Sequence, residues 1–386
     1  MKKVILMLMS CMMLCSCASQ KENEKEATLK VAVHSEEYKT SLIELWNETY
    51  PKNELIVEVV KEEEIESKLI QKEALDYDVY WIEDAYVPLV IDELLELNDK
   101  VEVSLNTNFN EIFNIIKEAY QPLMATSDTY YMLDLNVIEN NKLSEDKFSS
   151  FESMNEIENS FYYLDDIHFT KYFLTSNLNY FPQKEYGKLN FNSEDFIESL
   201  KNYRKMYELM PSNDKKSFDN WFINNSYASG FITTNMQLKK DEEINGGKYK
   251  ITKLPTINNQ QLYMEANSYG YVVNSNTEYP NAAKNLINMM HSKKGVQLLC
   301  NIDGFVPLIN EEMMNDFTYV NDHLKEKTYA MNYMIGRCFI GMENKEGTVL
   351  DYLYLDETIN KLKTCDLENV EACQLELDNS YQEWLK

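Results

Sequence analysis

Glycine and histidine are scarce in this chain, ten and four residues in 386. So few glycines leave little room for the close backbone approaches that phosphate loops and nucleophile elbows need. Neither G-x-x-x-x-G-K, G-x-S-x-G nor H-E-x-x-H occurs. Four scattered histidines without ligand spacing do not make a zinc centre, so no metal and no cofactor are expected. Positive charge is also short: 37 Lys and Arg face 64 Asp and Glu, a formal net charge of -27. Such a surface repels phosphates, and no basic, aromatic-laced stretch offsets it, which excludes nucleic acid as a partner. A glycosidase could use paired carboxylates, yet a chain this acidic offers such pairs by chance, and catalysis is not expected. Long apolar runs are missing too. The run from Val4 to Leu14 falls well short of the ~20 residues of a membrane span.

What is present is ample core material, 44% hydrophobic and 12% aromatic, so the charge does not signal disorder. Lys2 and Lys3 ahead of the short apolar run form an export signal, to be set aside from fold reasoning. The run ends in Leu14-Cys15-Ser16-Cys17, which resembles a bacterial lipobox: cleavage after Ser16 and a lipid on Cys17. An ordinary signal whose cysteines fill an apolar stretch is the alternative. Residues 1–16 then leave as a signal peptide, and 17–27, containing "SQKENEKEA", form a flexible tether. Loss of two lysines and no acid takes the charge to about -29. The mature chain is expected to be exported and anchored by its lipid to the outer face of the bacterial cytoplasmic membrane. About 360 residues remain, more than one core usually holds, so two lobes are expected.

The folded part opens with alternation in "TLKVAVH", a strand. A helix follows in "YKTSLIELWNETY", with Tyr38, Leu42, Leu45 and Trp46 on one face and Pro51 as the stop. "ELIVEVV" reads as a second strand, Glu64 to Leu75 as a second helix and Asp78 to Ile82 as a third strand. This βαβαβ unit calls for a parallel sheet with any ligand site at the carboxyl ends of its strands. Those ends carry His34, Ser35 and Glu36, then Lys61, then Glu83 and Asp84. Further along, Ser193 caps a helix striped by Phe196, Leu200, Tyr203 and Tyr207. "SGFITTN", "YKITKLPT" and "YGYVVNS" follow as extended segments. A final helix carries Val370, Cys373, Leu377, Tyr381 and Trp384 at spacings of three and four. The acidic runs "KEEEIES" and "KKDEE" read as solvated faces.

Several blocks together resemble the extracellular solute-binding proteins of family 1, the maltose-binding type that serves ABC importers. They are the lipobox and tether, "DVYWIEDAYVPLVIDELLEL", "YQPLMATSDTYYMLDLNVIE", "ASGFITTN", "KLPT", "YGYVVNSNTEYPNAAKNLINMMHSKKGVQLL", "FVPL" and "VEACQLELDNSYQEWL". They span nearly the whole mature chain. The resemblance implies an α/β, two-lobed periplasmic-binding-protein-like fold of type II, with a ligand cleft between lobes joined by crossing strands. The amino-terminal lobe would comprise 28–131 plus 268–315 and the carboxyl-terminal lobe 132–267 plus 316–386. Its function would be capture of a sugar or short oligosaccharide and delivery, by hinge closure of the lobes, to ABC permease subunits, the protein acting as a monomer. A polyamine or other cationic ligand, and a surface sensor or adhesin on the same fold, are the alternatives.

The same resemblance places ligand contacts at His34 and Glu36, at Trp81, Glu83 and Asp84, at Asp128 and Tyr130, and at Tyr269. Sugar rings stack on aromatic faces, and carboxylates accept from their hydroxyls. Against this, Trp81 reads equally as core, with Glu83 and Asp84 capping a helix that starts near Ala85. In the second lobe Gln237 stands where many members carry a tryptophan. Tyr352, alternating with Leu350 and Tyr354, is a substitute platform or a core residue, and Asp166 and His168 fall in a candidate cleft loop. Trp221 and Phe222 read as core. Cys300, Cys338, Cys365 and Cys373 allow three disulfide connectivities, with free buried thiols equally open.

Overall fold

The computed structural model describes residues 26–97, 119–127, 130–161, 191, 194–209, 227–232, 248–303, 305–336, 361, 365–366 and 368–384. Its first strand, β1 (Thr28–Val33), pairs in parallel with β2 (Glu54–Val59) and with β3 (Val79–Glu83), as the alternating sequence requires. Helix α1 (Glu36–Thr49) starts where the Ser35 hydroxyl accepts the Tyr38 N–H at 3.1 Å, and it buries Tyr38, Leu42, Leu45 and Trp46. Helix α2 (Glu62–Ile70) begins earlier and stops sooner than its apolar spacing suggests. Three glutamates in its first turn favour the positive end of the helix dipole, and Lys72, at φ 56, turns the chain out of the helix.

Two sequence expectations change here. Ala27 is buried and its N–H donates to the Asn53 Oδ1 at 3.1 Å, so the last tether residue belongs to the folded body. The block "YQPLMATSDTYYMLDLNVIE" is two strands rather than one. β4 (Gln121–Thr126) lies in the large sheet, and β5 (Tyr130–Asp134) lies in a separate three-stranded sheet. The signal, the lipobox, Ser193, Trp221 and Phe222 lie outside the described residues.

Helix α3 (Glu194–Leu209) buries Phe196, Leu200, Tyr203 and also Met206. β5 is flanked on both sides, antiparallel, by β6 (Ser229–Ile232) and β7 (Tyr249–Thr252). A hairpin of β8 (Thr256–Ile257) and β9 (Gln260–Gln261) turns through Asn258 and Asn259, both at positive φ, a conformation asparagine tolerates. Then come the ten-residue β10 (Met264–Val273) and the short strands β11 (Val306–Pro307) and β12 (Met334–Gly336).

The large sheet runs β11-β4-β10-β3-β1-β2, with β12 also pairing to β10. β10 does two jobs. Its first three residues pair with β12, and from Asn267 onward it lies between β4 and β3. The pairing of β10 with β4 shifts register between Tyr269 and Gly270, beside Pro122; a proline without an N–H is at home beside such an irregularity. Helices α4 (Pro280–His291) and α5 (Lys293–Asp303) follow β10, the first buried through Ala282, Ala283, Leu286, Ile287 and Met290. Helix α6 (Asp322–Met331) covers β7: the Glu326 carboxylate accepts the Ile251 N–H at 2.9 Å, and His323 stacks on Tyr249 at 4.4 Å.

Helix α7 (Val370–Trp384) buries Val370, Cys373, Leu377 and Tyr381, the stripe its spacing sets. It docks at Phe191, whose ring meets Tyr381 edge-on and whose carbonyl accepts from the Gln374 amide at 2.7 Å. Cys365 and Cys373 are joined by a disulfide, and Cys300 is buried; Cys338 lies outside the described residues. Among the described residues no helix is long and apolar enough to cross a membrane.

Candidate functional site

The carboxyl ends of β1 and β3, with the residues leading into α1 and α2, meet the middle of β10. An aromatic group closes this corner. The His34 ring lies 5.1 Å from Trp81, 5.3 Å from Phe305 and 5.4 Å from Tyr38, and Tyr271 Oη is 3.4 Å from its Nδ1. Tyr269 lies 5.4 Å from Trp81 and 5.7 Å from Phe305. These rings largely shield one another, leaving Trp81 4% and Tyr269 7% exposed. Trp81 is thus a packed ring at the edge of the core rather than an open platform. Its indole N–H, shut off from solvent, has no hydrogen-bond partner among the described residues.

The two acids after β3 have different surroundings. Asp84 is fully buried, and the cap position before the short helical turn is Glu83, not Asp84. One of its oxygens accepts from the Ser268 N–H at 3.1 Å and from the Ser268 hydroxyl at 2.6 Å, tying the end of β3 to β10. Glu83 is half-buried and faces outward from the same corner. It converges there with Glu62 and Glu66 of α2, and one oxygen from each of the three lies within 4.8 Å of the others.

Burial, followed by repulsion from Glu66, raises the Glu62 carboxyl above its ordinary value, and burial does the same for Glu66. Hydrogen bonds from the Tyr269 and Tyr86 hydroxyls oppose the two shifts. Tyr86 itself is pushed up to about 12 by burial and by the Glu66 and Glu83 charges, so it remains a donor at neutral pH.

Glu62 and Glu66 correct the reading of "KEEEIES" as a solvated face. Their spacing of four sets them beside Ile65 and Leu69, both buried. An acid at i and i+4 flanking an apolar i+3 and i+7 was the signal that these two turn inward.

The remaining expected positions are dispersed or outside view. Glu36 is exposed and pairs with Lys39 at 3.3 Å. Tyr130 is buried with the Lys327 ammonium 5.1 Å above its ring, and burial lowers the Lys327 pKa. Asp128, Asp166, His168, Gln237 and Tyr352 lie outside the described residues. The corner of β1, β3 and β10 therefore unites His34, Trp81, Glu83, Asp84 and Tyr269, with Glu36 and Tyr130 apart from it.

A family model described as bacterial extracellular solute-binding protein matches residues 24–297. No curated protein matches this sequence significantly. Among solved structures, an extracellular solute-binding protein from Staphylococcus aureus in complex with maltose is 12% identical, with a TM-score of 0.69 over 94% of this chain and 98% of its own. A maltodextrin-binding protein from L. casei is 11% identical, with a TM-score of 0.66 over 94% and 100%. A cyclic α-maltosyl-1,6-maltose-binding protein from Arthrobacter globiformis is 12% identical, with a TM-score of 0.66 over 92% and 99%.

Proposed function

The chain belongs to the bacterial extracellular solute-binding protein family and has its two-lobed α/β fold, and from that premise we propose that it captures a sugar or short oligosaccharide outside the cell for an ABC importer. The observation that carries this reading is the corner at β1, β3 and β10. It sets carboxylates and aromatic rings at the carboxyl ends of parallel strands, beside the strand shared with β12. Carboxylates accept from sugar hydroxyls, and rings pack against the C–H face of a pyranose.

In this reading the lobes comprise 28–131 plus 268–315 and 132–267 plus 316–386. The β4–β5 passage, β10 and the segment after β11 act as the hinges, and closure around ligand is what the permease recognises. The protein is lipid-anchored through Cys17 to the outer face of the cytoplasmic membrane and works as a monomer.

A thermal-shift screen over mono-, di- and trisaccharides tests the assignment. A saccharide at about a hundred times its dissociation constant adds roughly 2.7 kcal/mol and raises the melting temperature by several degrees. A screen in which no saccharide, neutral or charged, moves the transition overturns the proposal.

A further inference from the structure

A hollow opens at the other end of the large sheet, where β1 and β3 begin. The length of β1, about 20 Å at the rise of a strand, separates it from the aromatic corner, and the two share no residue. Its floor is Thr28 and Lys30 of β1 with Ile56 of β2, the register partner of Lys30. Helix α2 leaves this floor bare. Its nine residues span only about 13 Å, and Lys72 at φ 56 turns the chain so that residues 74–78 return as a side wall instead of a further helical turn. Ile56 is left 43% exposed.

The opposite wall is the turn at 274–279, whose shape is fixed by its own side chains. Asn274 Oδ1 accepts the Asn276 N–H at 3.0 Å, and Thr277 Oγ1 accepts the Tyr279 N–H at 3.2 Å. Asp78 then ties wall to floor: one oxygen accepts the Lys30 N–H at 2.8 Å and the other accepts from the Thr277 hydroxyl at 2.6 Å. The volume enclosed is about 430 Å³. That lies within the roughly 300–1,000 Å³ of preformed small-molecule sites.

What the hollow accepts depends on which of its charges are already answered. Asp78 is engaged at both oxygens, Lys30 pairs with Asp76 at 2.6 Å, and Glu278 is exposed. Neither a phosphate nor an ammonium finds a buried counter-charge here. The walls offer instead the amides of Asn274 and Asn276, and apolar surface from Ile56, Tyr77 and Tyr279. Amides donate as well as accept, which suits the hydroxyls of a sugar, and the apolar groups suit its C–H face. The Lys30–Asp76 pair is exposed and contributes little by itself, so both partners can turn to a ligand hydroxyl at small cost.

We infer that the hollow between the 74–78 loop and the 274–279 turn is a second saccharide site, taking one or two units of a neutral glycan. It is separate from the corner of β1, β3 and β10 and goes beyond the receptor reading without resting on it. Asp78 is its positioning residue, and Asn276, Ile56 and the Lys30–Asp76 pair are its contacts.

Hydrogen–deuterium exchange of the full chain reads this site by position. Glucose, N-acetylglucosamine, maltose, cellobiose and the N-acetylated glucosamine dimer are each titrated to about 50 mM, well above the dissociation constant on the order of 1 mM expected of an open site. At least one is expected to slow exchange over 74–79 and 274–279 by roughly tenfold or more. Ala74→Trp, at an exposed position lining the hollow, fills it and should abolish that protection while melting like the parent. Asn276→Ala, also exposed, should weaken binding about fivefold, the scale of one hydrogen bond.

Absence of protection in both segments with all five sugars overturns the saccharide site; the receptor reading is judged separately by the thermal screen. Protection by spermidine in place of the sugars, lost at about 500 mM salt, makes the hollow a cation site and overturns the saccharide class. Protection that survives Ala74→Trp unchanged overturns the location.

Discussion

Replacing Asp84 separates a structural role from a ligand role at the one corner where both were expected. Asp84 and Ser268 are both fully buried, and their two hydrogen bonds, 3.1 and 2.6 Å, join the end of β3 to the shared strand β10. A hydrogen bond to a charged group contributes ~1.5–3 kcal/mol, so losing two suggests about 3–6 kcal/mol. The Tyr120 hydroxyl, 3.5 Å from Ser268 Oγ, can take over part of one. Asp84→Ala is therefore expected to cost roughly 3–5 kcal/mol. Asp84→Asn keeps one acceptor oxygen and should cost about 1–2 kcal/mol, and Ser268→Ala a similar amount, since its N–H still has its partner. Urea unfolding of the parent, Asp84→Asn, Ser268→Ala and the double variant gives the coupling directly. It should exceed about 1 kcal/mol, as for residues in direct contact. Affinity for the saccharide found by the thermal screen is measured on the same proteins at a temperature where all are folded. The reasoning is refuted if Asp84→Asn unfolds like the parent but binds more than about tenfold more weakly, because Asp84 would then act on ligand and not on β10.

Burial lowers the His291 pKa from 6.5 to about 4, against a hydrogen bond to the Gln121 backbone that raises it. A folded value below the unfolded one means that the unfolded chain binds the proton first, so stability present above pH ~6.5 is lost as pH falls toward 4. The loss is about 2 kcal/mol between pH 7 and pH 5, and His291→Gln should flatten that part of the profile in chemical denaturation; an unchanged slope contradicts the shift. At Gly270 a Cβ would press into the Gln121 carbonyl and stand 2.8 Å from Tyr120 Cε2. Gly270→Ala should thus destabilise by roughly 2 kcal/mol or more, and a melting temperature equal to the parent's would show that β4 yields at this bulge. Mass spectrometry of the mature amino terminus should find Cys17 first and diacylglycerol-modified, and any other terminus sinks the anchor.

The βαβαβ unit was legible because its signals are local. Alternation in "TLKVAVH" and the four-three-one spacing of Tyr38, Leu42, Leu45 and Trp46 are fixed by strand and helix geometry before any tertiary contact exists. The corner of β1, β3 and β10 was legible as a place for the same reason, since parallel strands present their carboxyl ends together. Which way its side chains act was not. Trp81 and Glu83 are two apart on one strand and share a face, yet Trp81 is covered by His34, Tyr269 and Phe305. Two of those rings come from 188 residues or more further along the chain, and no local pattern records their arrival. Asp84 could be read as a helix cap or a ligand group because Ser268, its actual partner, is 184 residues away. The pairing of Cys365 with Cys373 was not legible in the sequence, because it depends on where the start of α7 sets their Cα atoms, 5.5 Å apart.

The acid content shows how far composition can mislead about a site. A net charge of -27 is a statement about the far field, governing solubility and long-range steering, and exposed pairs such as Lys68 with Glu64 or Lys201 with Glu198 cancel within themselves and add nothing to it. Such pairs contribute little and are screened by salt. Three glutamates differ from the rest by position rather than by number. Glu62 and Glu66 stand on the face of α2 that Ile65 and Leu69 pull against the sheet, and Glu83 follows two residues after Trp81 on the facing strand. The apolar stripe that folds the helix is thus also what carries two charges out of solvent and raises their pKa values. Asp84, one residue further on, is drawn the other way and spends its charge on Ser268. Burial, set by neighbouring apolar residues, therefore decides how each acid acts: neutralising Asp84 should loosen the tie between β3 and β10, whereas neutralising Glu62 and Glu66 relieves their burial and repulsion and leaves that tie intact.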